Sequence, residues 1–134
     1  MPPDRLAPGS PSHWLERARG DLALASAPLP EGGFREDLCY HAQQAAEKAV
    51  KAVYVHRGWA FRSVHDLEEL ITGLERKGLT VPDAVKSCFT LTVFASESRY
   101  PRLSEPVTAD ELQEATAIAA RVVRWADAVT RGEA

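Results

Sequence analysis

Apolar residues recur every three or four positions along most of the chain, and helix-breaking residues divide this pattern into five segments. The pattern predicts a first helix that begins near Pro11 or Ser12 and ends before Pro28. It predicts a second helix over about 34–57 that ends at Gly58. Because no strand-like alternation of useful length is present, the sequence indicates an all-α protein.

The next two helices follow from their end signals. The third is predicted to begin after Ser63, because Ser63 and Asp66 have the spacing of a capping box, and to end at Gly78. The fourth is predicted to begin after Thr80 and to end at Pro101, since proline disfavours helical backbone in the residue before it.

The fifth helix is predicted to begin at Thr108, where Thr108 and Glu111 form a better capping box. The connections between helices are short, which favours antiparallel neighbours. We therefore predict an up-and-down antiparallel helical bundle of four main helices plus one. It occupies residues 12–131, after a flexible N-terminal segment of residues 1–11.

Alternating helix directions predict which segments meet. The starts of the first, third and fifth helices should share one end of the bundle with the finishes of the second and fourth. That end would collect a set of basic and aromatic residues: His13, Trp14, His56, Arg57, Trp59, Arg62, His65, Arg99, Tyr100 and Arg102. Arginine side chains and helix N-termini together favour phosphate binding, whereas ordinary capped and solvated helix ends are the alternative interpretation.

Composition narrows the functional classes. The net charge of −3 gives no overall excess of positive charge for sequence-blind nucleic-acid binding, so contact with RNA or a nucleotide requires a local patch. No apolar run approaches the ~20 residues that span a bilayer, and the start of the chain lacks the apolar stretch of a signal peptide. We therefore predict no membrane contact and a cytoplasmic location, with Cys39 and Cys88 as reduced core thiols.

Polar residues at spacings of three and four mark one face of the second helix, namely Gln44, Glu47, Lys48 and Lys51. This face is either an outer polar stripe or a groove that faces a nucleotide or a partner. His65 and Asp66 cannot hold each other as a catalytic pair, because adjacent helical residues point ~100° apart. We interpret Asp66 as a cap and His65 as a polar contact or phosphate ligand.

Several stretches in this order resemble the HEPN family, the higher eukaryotes and prokaryotes nucleotide-binding domain, in its prokaryotic branch that contains the tripeptide RYP. The matching stretches are Trp14 with Ala18, Asp21 and Leu22, then AQQAAEKAVKA at 42–52, His65-Asp66-Leu67, Arg99-Tyr100-Pro101, and a final helix with Trp125. The resemblance spans roughly residues 12–130.

The resemblance implies a helical bundle, commonly a homodimer, that often acts with a small nucleotidyltransferase as a toxin–antitoxin-like pair. It implies a nucleotide as ligand, with no required cofactor and no metal. We expect Arg99, His65 and Lys48 to face the anion, and Tyr100 and Gln44 to shape the cleft.

Two alternatives remain. Other HEPN members are metal-independent ribonucleases with an Arg and a His four to six residues apart near the fourth helix, but no His follows Arg99 within that interval. A ribonuclease would therefore need a variant site, with Arg99 and either His65 or His56 as catalytic residues, acting on RNA. The last alternative is a structural domain that serves dimerisation or docking only.

Overall fold

The computed structural model describes residues 9–95 and 106–133, and all regular elements in these ranges are helical. They are α1 (Pro11–Ala25), α2 (Arg35–Arg57), α3 (Leu67–Arg76), α4 (Asp83–Lys86), a 3₁₀ helix (Ser87–Phe94) that continues α4, and α5 (Ala109–Thr130). The prediction of an all-α helical bundle is confirmed. None of the described helices is long and apolar enough to cross a membrane.

Helix ends with strong local signals lie where the sequence predicts them. Ser10 caps α1 by accepting a hydrogen bond from the His13 amide. Gly58 ends α2 in the left-handed conformation at a φ of 73°, which favours glycine. At the start of α5, Thr108 and Glu111 form the expected reciprocal capping box.

The predicted cap of the third helix is wrong by three residues. Asp66, not Ser63, is the N-cap, and its carboxylate accepts hydrogen bonds from the amides of Glu68 and Glu69. A carboxylate at this position also interacts favourably with the helix dipole, which a serine hydroxyl cannot match. The interpretation of Asp66 as a capping residue is confirmed.

The fourth helix is much shorter than predicted. A single α-helical turn is followed by 3₁₀ geometry from Ser87 to Phe94. This stretch is rich in β-branched and aromatic residues, which have low helix propensity. In addition, the Ser87 and Thr90 hydroxyls donate to carbonyls three residues earlier, which suits the tighter 3₁₀ turn. The predicted end at Pro101 lies outside the described residues.

Small residues let α2 lie at the centre of the bundle. Its alanines Ala42, Ala45, Ala46, Ala49 and Ala52 are fully buried, and their small side chains permit close helix approach. α1 and α5 both pack closely against this helix, and the core is otherwise filled by aliphatic side chains from every element. Cys39 and Cys88 are free buried thiols, and burial raises the pKa of Cys88 to about 12.

The fifth helix begins at the predicted residue but at the opposite end of the bundle from the one predicted. The Val107 amide donates to Glu36 at 3.4 Å and the Arg35 guanidinium donates to the Val107 carbonyl at 3.3 Å, so α5 begins beside the start of α2. The Arg19–Asp127 ion pair joins α1 to the far part of α5 at 2.7 Å. α2 and α5 therefore run in the same general direction, and α1 runs against both.

The third helix also begins in a different place from the one predicted. Residues 58–66, which we call the return segment, run back along α2 instead of turning at its end. Gln43 in the first half of α2 donates to the His65 carbonyl at 3.3 Å. Aromatic packing anchors the segment, because Phe61 contacts Trp14 and Tyr54 edge-on at centroid distances of 6.0 and 5.5 Å. The start of α3 thus lies beside the middle of α2.

α3 approaches α2 closely at a glycine. The Tyr54 hydroxyl of α2 donates to the Leu70 carbonyl of α3 at 2.6 Å. A β-carbon at Gly73 would overlap that hydroxyl. Gly20 in α1 is also helical, but nothing lies within 4 Å of the position where its β-carbon would be.

We predict that Gly73→Ala destabilises the protein by about 1–3 kcal/mol, because the new methyl group displaces a buried, hydrogen-bonded tyrosine. Gly20→Ala is the matched control and should stabilise the fold by up to about 1 kcal/mol through helix propensity alone. Urea unfolding of both variants measures the two effects. Adding Tyr54→Phe to Gly73→Ala should recover part of the loss, and equal effects of the two alanine substitutions would contradict this account.

Candidate functional site

The polar face of α2 points partly into the protein. Glu47 is 3% exposed, Lys51 is 6% exposed and Gln43 is fully buried. The interpretation as an outer polar stripe is therefore wrong for Glu47 and Lys51. Burying charged groups requires compensating partners, so the surroundings of this face decide what it can do.

Four side chains converge on the Glu47 carboxylate. Its Oε2 pairs with Lys51 Nζ at 2.7 Å, and its Oε1 accepts from Gln43 Nε2 at 2.9 Å. His65 Nδ1 lies 3.0 Å from the same Oε1. Gln44 Nε2 donates to this Oε1 at 3.4 Å and to Gln43 Oε1 at 2.7 Å. We call these five residues the Glu47 cluster. Both carboxylate oxygens have partners, so the charge of Glu47 is fully compensated.

These contacts outweigh the effect of burial on the acidity of Glu47. Burial alone raises the pKa of this carboxyl, but hydrogen bonds from Lys51, Gln43 and His65, together with the Lys51 charge, lower it below its ordinary value. Glu47 is therefore ionised at neutral pH. The cluster is a buried ion pair in which a histidine, with a side chain that is 61% exposed, reaches the protein surface.

Aromatic rings enclose the cation of this pair. Lys51 Nζ lies 5.9 Å from the ring centroid of Trp14 and 5.4 Å from that of Phe61. Cation–π attraction thus ties α1 and the return segment to the middle of α2. Sequence reasoning missed Phe61, because its role depends on the backward path of the return segment, for which no local signal exists.

A second ion-paired group lies between α1 and α2. Asp21 is largely buried, and its two oxygens contact Lys48 Nζ at 2.5 Å and His41 Nδ1 at 2.9 Å. We call these three residues the Asp21 cluster. The family resemblance includes Asp21, but the sequence did not predict its partners. A charged residue on the inward face of α1 is the signal that indicates a partner on α2.

The structure therefore separates the predicted site residues. Gln44 and His65 belong to the Glu47 cluster, whereas Lys48 belongs to the Asp21 cluster. Arg99 and Tyr100 lie outside the described residues. His56 is exposed at the end of α2 and belongs to neither cluster, so the predicted meeting of His65 with the tail of α2 does not occur.

Both clusters contain histidine and carboxylate side chains, but only in pairs. Within 9–95 and 106–133, no group of three His, Cys, Asp or Glu side chains is arranged to hold a metal ion. Histidine, lysine and amide groups along one side of α2 form hydrogen bonds and ion pairs. Such groups bind anions and polar ligands.

The protein is thus a small all-α bundle. Its longest helix, α2, carries the Glu47 and Asp21 clusters, in which the charged side chains are paired with one another. The model of the HEPN domain matches residues 11–129. The chain belongs to the HEPN domain family. No curated protein matches the sequence.

Two solved structures support the same assignment. The fold is similar to that of TT1696 from Thermus thermophilus, with a TM-score of 0.74 and 28% identity over 89% of this chain and 97% of that chain. It is also similar to ST0689, an archaeal HEPN homologue, with a TM-score of 0.70 and 27% identity over 90% and 98% of the two chains.

We predict that Glu47→Gln lowers the free energy of unfolding by about 3 kcal/mol at neutral pH, because it leaves Lys51 buried without a counter-charge. The folded-state pKa of Glu47 lies below its ordinary value of 4.5, so its contribution to stability is present above that pH. The contribution is lost as the pH falls through the folded-state pKa. The difference between wild type and variant should therefore shrink below about pH 4.5.

Urea unfolding at a series of pH values between 7 and 3 measures this difference. Glu16→Gln makes the same chemical change at an exposed position of α1 and serves as the control. It should alter stability by less than ~0.5 kcal/mol at every pH. A Glu47→Gln variant that loses equal stability at all pH values would show that the ionised carboxylate is not responsible.

Proposed function

We propose that this protein is a HEPN module that binds a nucleotide or another phosphate-bearing ligand, forms a homodimer and acts with a small nucleotidyltransferase partner. The observation that carries the proposal is the family match, which extends over residues 11–129 and so includes every described helix but the last residue of α5. The name of the family refers to nucleotide binding, and the pairing with a nucleotidyltransferase follows from the resemblance in the sequence.

The arrangement along α2 supports a binding role. Gln44 and Lys48 are one helical turn apart, and the largely exposed His65 lies beside Gln44, since both contact Glu47. We add Arg99 and Tyr100 to the proposed ligand-binding residues because of the resemblance of the sequence to the family. Because each described member is held by hydrogen bonds or ion pairs, a ligand would meet side chains that are already ordered.

The ribonuclease alternative gains no support from the described residues. His65 Nδ1 contacts the Glu47 carboxylate at 3.0 Å, and Arg99, the arginine of this alternative, lies outside the described residues. Cleavage through the 2′-hydroxyl needs a proton carrier beside a group that stabilises the phosphate charge. We therefore favour binding over catalysis.

We predict that isothermal titration of the purified protein with ATP, ADP and GTP gives binding by at least one of them at millimolar concentration or below. Arg99→Ala and His65→Ala should each weaken that binding by about tenfold, since each removes a hydrogen bond to a charged group. Arg124→Ala, at an exposed position of α5, should bind like wild type. Silence of the wild-type protein toward all three nucleotides would contradict the ligand part of the proposal.

The assembly part has its own measurement. Light scattering after size-exclusion chromatography should give twice the chain mass of 14.7 kDa. Coexpression with the small nucleotidyltransferase encoded nearest to this chain should yield a complex that survives the same column, whereas an unrelated nucleotidyltransferase should elute separately. A monomer that retains no such partner would refute both statements.

A further inference from the structure

A cavity of about 260 Å³ lies where the start of α1 meets the middle of α2. Its lining consists of Gly9, His13, Trp14, Arg17 and Lys48. Three of these five residues carry basic side chains, and no acidic residue is among them. His13 and Arg17 are one turn apart on α1, so both belong to the same face of the helix as it passes Lys48.

The basic groups of this cavity differ in how they are held. Lys48 is fixed by its contact with Asp21 at 2.5 Å. His13 Nδ1 accepts a hydrogen bond from the Gly9 amide at 2.9 Å, so in the neutral ring the proton is on Nε2, which remains a donor. Arg17 is exposed and forms no ion pair with a carboxylate among the described residues, so its five N–H donors are available.

We propose that this cavity binds the phosphate end of a nucleotide, with Arg17, Lys48 and His13 as donors and the Trp14 ring as the apolar wall. The inference rests on the proposed function for its class of ligand, but it assigns the phosphate to a cavity at Arg17, a residue that the sequence did not indicate. Of the residues predicted to bind the ligand, only Lys48 lines the cavity.

Charge and donor geometry favour phosphate over a carboxylate. The guanidinium of Arg17 presents a planar fork that matches two phosphate oxygens, and Lys48 and His13 add further donors to the same space. Asp21 already compensates Lys48, so the unpaired charge is mainly that of Arg17. A phosphate group of about two negative charges exceeds that single charge and draws Lys48 into the interaction as well.

The first test compares two charge reversals in the full-length protein. Arg17→Glu should weaken the binding of ADP and of inorganic pyrophosphate by about tenfold or more. Arg124→Glu makes the same change on the exposed side of α5 and should leave both affinities unchanged. Isothermal titration measures the affinities. Unchanged affinity in Arg17→Glu, with ADP bound by the wild type, overturns the cavity but leaves the proposed function standing.

The second test locates the ligand by NMR. The indole N–H signals of the three tryptophans, Trp14, Trp59 and Trp125, can be assigned with single Trp→Phe variants. Titration with pyrophosphate or ADP should shift the Trp14 signal only, while adenosine, which lacks phosphate, should not shift it. A shift with pyrophosphate but not with ADP refutes the nucleotide as ligand, and shifts of Trp59 or Trp125 without Trp14 refute the site.

A third test looks for a variant that binds pyrophosphate more tightly than the wild type. Asp21→Asn removes the carboxylate that competes for Lys48, so pyrophosphate should bind severalfold more tightly than in the wild type. Arg17→Gln, which removes the charge without reversing it, should weaken binding and replaces Arg17→Glu if that variant does not fold. A purely structural role of these residues predicts no gain from Asp21→Asn, and that result would overturn the proposal.

Discussion

The buried pair of Glu47 and Lys51 is the constraint on which the rest of the structure depends. Removing each ion from water costs several kcal/mol, and the mutual attraction of the pair offsets this only when further hydrogen bonds complete the coordination. Gln43 and Gln44 of α2 itself supply part of this coordination, α1 contributes Trp14, and the return segment contributes Phe61 and His65. The charged pair thereby dictates that two other elements lie against the middle of α2.

This requirement explains why local signals predicted the helices better than their arrangement. Helix caps form between residues that are close in the sequence, so their effect can be predicted from the sequence directly. The examples are Ser10, Gly58 and the pair of Thr108 and Glu111. The direction of the chain after Gly58 depends instead on where Phe61 and His65 find partners. The nine residues 58–66 can form a loop at the end of α2 or run back along that helix, and tertiary contacts decide between the two paths.

The sequence predicted which residues share the polar face of α2, but not how the structure divides that face between two clusters. Gln44 and Lys48 share a face by helical spacing, yet the two edges of that face meet different neighbours. α1 places Asp21 beside Lys48, and the return segment places His65 beside Glu47, which Gln44 also approaches. Helical periodicity specifies which residues share a face, but it carries no information on which neighbour covers each edge.

The two clusters also determine which basic side chains can attract an anion. Lys51 is neutralised by Glu47 and enclosed by aromatic rings, and Lys48 is held by Asp21, so these lysines contribute orientation more than free charge. An anion is then attracted chiefly by a cation that no carboxylate compensates, and beside the Asp21 cluster that cation is Arg17. The same charge balance that stabilises the buried polar face therefore directs ligand recognition to its edge, where α1 begins.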